Sequence, residues 1–192
     1  MRSAPDAARR AAPPAGTTRI AEAAARAAGA GTVQGGVWEG VYASNSQITG
    51  GLTNSGLIQG QLAGVAFYGS MLDGGIKNSG TIRVNGVAYG PSSNGAGIHL
   101  RYSQVMGGIT NSGLIQGPAQ GIHVDNSILS GGILNQGSIV GSTGIGIWAM
   151  SQVNGGITNT GVIRGLSSEG IDISTGSTLV GGIANSGTIL GA

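Results

Sequence analysis

Isoleucine, valine and leucine alternate with small polar residues between paired glycines through most of this chain, and the alternation restarts at a nearly fixed interval. A stretch close to Gly-Gly-Ile-Thr-Asn-Ser-Gly begins at Gly50, Gly74, Gly107, Gly131, Gly155 and Gly181, with spacings of 24, 33, 24, 24 and 26 residues. Alternating apolar positions rich in β-branched residues favour strands over helices. The unit Gly121 to Gly141 carries three apolar clusters, read as strands over Ile122 to Val124, Ile128 to Ile133 and Ser138 to Val140. Equivalent clusters recur at 98–100, 104–109 and 114–116, and again at 171–173, 178–183 and 188–190.

A repeat near 24 residues cannot bury an apolar face alone and becomes stable only by stacking on its neighbours. Equivalent strands of successive units can pair in parallel at ~4.8 Å per layer. The expected fold is therefore all-β, a right-handed parallel β-helix of about six coils with three short strands per coil, the hand taken from the general preference of parallel crossovers. Two inward columns are predicted: Leu52, Ile76, Ile109, Ile133, Ile157 and Ile183, and Ile58, Ile82, Ile115, Ile139, Ile163 and Ile189. Both ends of such a stack expose strand edges, which are expected to be capped, to continue into further chain, or to pair end to end with another copy.

Each repeat also carries one asparagine, at Asn54, Asn78, Asn111, Asn135, Asn159 and Asn185. An unsatisfied buried amide costs about 1–3 kcal/mol, so these residues are expected to form a left-handed corner or a stacked amide ladder. The glycines that follow, Gly56, Gly80, Gly113, Gly137, Gly161 and Gly187, are read as corners with positive φ. No phosphate-loop motif stands in a strand-turn-helix setting.

Composition changes the picture in two places. Forty glycines in 192 residues, with only 5 prolines and no Gly-X-Y period, exclude collagen. Residues 1–30 hold five arginines against Asp6 and Glu22, whereas 31–192 hold four basic and five acidic residues, so the basic balance belongs to the tail. That tail is Ala/Arg/Pro-rich, with Thr18 to Ala28 able to form a short capping helix; the solenoid domain is assigned to 31–192. Scattered arginines without interleaved aromatics do not read as a nucleic-acid arm. No secretory signal and no membrane-spanning helix is read, and zero cysteines exclude disulfides and thiolate metal sites.

The unit Gly-Gly-Ile-x-Asn-Ser-Gly-x-Ile, as in Gly107 to Ile115, resembles the β-helical passenger regions of bacterial autotransporters and filamentous-haemagglutinin-like surface proteins. The likeness covers about residues 35–192. It implies export, location at the cell surface or in the secreted fraction, and a non-catalytic structural or adhesive role. Host or bacterial surface glycans or proteins would be the partners. The chain shows neither a family-type signal nor a membrane barrel, which suggests a fragment or a soluble relative.

Candidate chemistry gathers on one predicted outward face. Ile122 and Val124 point inward, so His123 and Asp125 should point out; the matching column is read as Tyr42, Ala66, His99, His123, Trp148 and Asp172, with Tyr68, Arg101 and Asp125 beside it. The face reads either as solvated surface or as a shallow site for a glycan or protein. A carbohydrate-binding or polysaccharide-cleaving β-helix using the outward His99, His123, Trp148 and Asp172 is the alternative function. Asp125 and Asp172, two coils apart, should be about 10 Å apart, too far for a retaining carboxylate pair, so no catalytic residue is assigned. No cofactor is expected, and no metal site: His99 and His123 should stack, but a third ligand is not obvious. One insertion, roughly Arg83 to Ala96, should bulge from the corner before the His99 strand.

Overall fold

A computed structural model describes residues 31–35, 38–86 and 95–192. The tail 1–30, with its expected capping helix, lies outside the described residues, as does the middle of the insertion. Among the described residues there are 25 short strands and no helix, hence none long and apolar enough to cross a membrane.

Every strand pairing is parallel and joins one coil to the next. The strands form four sheets rather than three. Sheet A runs through seven strands from Thr32–Gln34 to Thr188–Leu190. Sheets B, C and D have six each, beginning with Val41–Ser44, Gln47–Ile48 and Leu52–Asn54. The fourth sheet arises because the expected middle strand is split: Ile128–Leu129 belongs to sheet C and Ile133–Asn135 to sheet D. Between them the second glycine of each pair, such as Gly108 at φ 73° and Gly132 at φ 71°, makes a left-handed corner that a continuous strand cannot pass.

Both predicted columns are present in register, from Leu52 to Ile183 in sheet D and from Ile58 to Ile189 in sheet A. Sheets B and C add three more, exemplified by Ile122, Val124 and Leu129, and all of these fuse into one core that is aliphatic except for Phe67. Ile183 in the last coil is half exposed.

The asparagine ladder is complete. Asn54, Asn78, Asn111, Asn135 and Asn159 each donate Nδ2–H to Oδ1 of the next asparagine at 2.7–2.8 Å. Each also donates to a carbonyl of the following coil, as Asn111 does to Ser138 O at 3.2 Å. These residues end strands and do not take positive φ, so their role is the side-chain ladder and not a left-handed corner. The six glycines that follow them are likewise absent from the positive-φ set. They are required by close approach: a Cβ on Gly80, Gly113, Gly137, Gly161 or Gly187 would come inside 3.0 Å of the backbone of the preceding coil.

A second polar ladder runs along the corner between sheets B and C. The backbone N–H groups of Ser46, Ser70, Ser103, Ser127 and Ser151 each donate to the next serine hydroxyl at 2.9–3.2 Å. The residue before each of these serines, and before Ser177 that ends the ladder, takes a left-handed turn at Asn45, Gly69, Tyr102, Asn126, Met150 and Gly176. The insertion leaves the ladders undisturbed: Arg83 still pairs in sheet A and Ala96 opens the next strand of sheet B.

Candidate functional site

The predicted face is the outer side of sheet B, and its register differs from the expected one at one coil. Tyr42, Ala66, His99, His123, Gly146 and Asp172 align in one column. Ser44, Tyr68, Arg101, Asp125 and Trp148 align in the next. Trp148 therefore belongs beside Asp125, and Gly146 holds the place expected for it. The corner before Thr143 is one residue shorter than the one before Gln120, so sheet B steps by 23 residues here against 24 in sheet A, and the outward residue level with His123 is Gly146 rather than Trp148.

The two columns interlock. Trp148 folds back across Gly146, with ring atoms 3.0–3.3 Å from where a Cβ would stand. Tyr68 does the same at the level of Ala66, coming between Tyr42 and His99. The result is a continuous file of rings. Tyr42 and Tyr68 lie 5.6 Å apart, Tyr68 meets His99 edge-on at 5.1 Å, His99 and His123 stack at 4.8 Å with planes 2° apart, and His123 meets Trp148 at 4.6 Å. Tyr68 Oη is 2.9 Å from His99 Nδ1, and Trp148 Nε1 donates to Asp172 Oδ2 at 2.6 Å.

The expectation of a solvated face is corrected by this packing. His99 is 0 % exposed and His123 3 %, because the rings and the Arg101 and Asp125 side chains cover them. Tyr42, Tyr68, Arg101, Asp125, Trp148 and Asp172 are half-buried. Burial, with the neighbouring His123 and Arg101, lowers the His99 pKa to about 3. Burial and Arg101 lower that of His123 to about 4 against the opposing pull of Asp125. Both imidazoles are neutral at pH 7. Burial, with the Glu39 charge beside it, pushes the Tyr68 phenol upward, and burial also raises the Glu39 carboxyl. Glu39 belongs to this neighbourhood, yet its sequence position before the first strand of sheet B gave no sign of it.

Polar satisfaction in the stack is incomplete. His99 Nε2 and both nitrogens of His123 are buried without a hydrogen-bond partner. Arg101 Nε lies 3.1 Å from Asp125 Oδ2 but is not aligned to donate. One atom each of His99, His123 and Asp125 lie within 4.8 Å of one another. Asp125, already placed on this face by the sequence, is thus the third converging group, which its position two residues beyond His123 could not reveal because sequence spacing says nothing about side-chain reach.

A second feature lies around the corner, on sheet C. Met71, Tyr102, Gln104, Asn126 and Ile128 line a shallow depression of about 320 Å³. Tyr102 is 59 % exposed and sits at φ 51°, at a corner that carries asparagine or glycine in the other coils except for Met150. The Arg101 guanidinium lies 5.2 Å from its ring centroid. Compared with known protein families, curated proteins and solved structures, the chain shows no significant match to any.

Proposed function

We propose that this chain is a non-catalytic structural and adhesive β-solenoid of a bacterial surface or secreted protein, similar in role to an autotransporter passenger. The observation that carries the reading is the strained, exposed Tyr102. A left-handed conformation costs a bulky residue about 1–2 kcal/mol, and asparagine or glycine serves the same corner in four of the five other coils, with Met150 in the fifth. Strain retained beside exposed Met71 and Ile128 marks a contact surface. The rigid ladders hold that surface in place, and stacking lets coils space it from whatever adjoins them. Surface glycans or proteins are the partners, with end-to-end association through the open strand edges as a further mode.

The alternative, carbohydrate binding or cleavage on sheet B, draws on Trp148 and Asp172. Its acids are already engaged, Asp125 with Arg101 and Asp172 with Trp148, which favours packing over chemistry. The test is adhesion of the purified chain to glycan arrays and to immobilised matrix proteins. Tyr102→Asn with Ile128→Ser should abolish binding while the thermal midpoint is held or raised. Binding abolished instead by Trp148→Ala, or turnover of any polysaccharide, would transfer the function to sheet B.

A further inference from the structure

We infer that His99, His123 and Asp125 form a binding site for a divalent transition-metal ion, with Arg101 as its displaceable cover. The inference stands apart from the adhesive reading and rests on four observations. Three imidazole nitrogens are buried with no partner, an arrangement that costs about 1–3 kcal/mol for each group left unsatisfied. The donor atoms of the three residues converge to within 4.8 Å. The histidines are the only two in the chain, and the parallel register of sheet B sets them in adjacent coils, His99 beside His123. Finally, the one cation that reaches the cluster among the described residues, Arg101, is an ill-fitting occupant: its Nε is close to Asp125 but misaligned, and its side chain is 39 % exposed.

The donor set selects the ion. Two neutral imidazoles and one carboxylate suit zinc, nickel, cobalt or copper, whereas calcium and magnesium take oxygen ligands. Donors on a tetrahedral ion lie about 3.4 Å apart, given bonds of about 2.0–2.1 Å. The empty cluster is therefore wider than a filled one, and binding draws the rings and carboxylate together while Arg101 swings to solvent. Tyr68 supplies the orienting partner: with its hydroxyl 2.9 Å from His99 Nδ1, it accepts the Nδ1–H and leaves the unpartnered Nε2 as the ligand. Three protein ligands leave a coordination position open for water or an exogenous group.

Trp148, 4.6 Å from His123, is a built-in reporter once Trp38 is changed to Phe. The experiment titrates the untagged 192-residue chain carrying Trp38→Phe with Ni²⁺ and Co²⁺. The expected result is saturable one-to-one quenching of Trp148 by Ni²⁺ and the visible absorption of low-coordinate Co²⁺. Both should be lost in Asp125→Asn and in His123→Gln. Arg101→Gln should tighten binding by about tenfold, the effect of removing one positive charge about 6 Å from a divalent ion even at the dielectric of water. Should His123→Gln fail to fold, Zn²⁺-induced shifts of the two imidazole ¹⁵N resonances in the unaltered chain carry the test. Quenching that does not saturate, or that survives Asp125→Asn, or imidazole resonances that Zn²⁺ does not move, overturns the site.

Discussion

Replacing Asn111 with alanine should cost several times more stability than the same change at Asn185, although both occupy the same position in the repeat. Asn111 is fully buried, accepts from Asn78 Nδ2 at 2.8 Å, and donates to Asn135 Oδ1 at 2.8 Å and Ser138 O at 3.2 Å. Its removal strands Asn135 Oδ1, for which Asn111 is the donor, at about 1–3 kcal/mol for a buried acceptor left unpaired. Asn78 keeps Gly80 O and Leu114 O, so its lost bond adds only about 1 kcal/mol. The sum is about 2–4 kcal/mol. At Asn185 the ladder ends: Asn159 loses one acceptor but keeps Gly161 O and Thr188 O, no further asparagine is deprived of a donor, and the loss is about 1 kcal/mol or less. Urea denaturation followed by circular dichroism measures both, with hydrogen exchange separating fraying of the last coil from global unfolding. Equal losses at the two positions would show that the amides act one by one through local turns, and the ladder argument would fail.

Three further outcomes test other parts of the structure. In metal-free buffer, stability should fall as pH drops below about 6.5. The folded histidines titrate near 3 and 4, so the unfolded chain binds protons first, and each histidine costs about 2 kcal/mol by pH 5. Thermal midpoints that fall equally in a His99→Phe, His123→Phe variant would assign the loss elsewhere. Gly113→Ala should destabilise by about 1–3 kcal/mol or more through overpacking, because its Cβ would meet Gly80 and Ser79 backbone atoms, whereas Gly31→Ala, with nothing within 4 Å, should be nearly silent in the same melt. Tyr102→Asn should raise stability by about 1 kcal/mol by relieving left-handed strain; a lower midpoint would mean that the ring's contact with Arg101 outweighs it.

The two columns predicted from period alone are the columns observed, because a parallel stack converts sequence period directly into spatial register. Even the 33-residue interval left Ile76 level with Ile109. The serine ladder is equally legible in the sequence, since Ser46, Ser70, Ser103, Ser127, Ser151 and Ser177 repeat the glycine-pair spacings. Close approach and left-handed φ both demand glycine, so residue type alone did not separate Gly113 from Gly132. The chemistry of the sheet B face was less accessible. Gly146 and Ala66 are small, and the rings of Tyr68 and Trp148 fill the space they leave by reaching across from the adjoining column.

Sequence by itself determined the repeat, the strands and their stacking, since each depends on local pattern and on the need of every coil for a neighbour. Only the tertiary structure decided that the middle strand breaks at the glycine pair and that the outward histidines are buried. It alone brought Asp125 within reach of both rings. Alternation assigns a side chain to a face, but burial and convergence depend on which larger side chains fold over it, and that is settled between coils rather than within one.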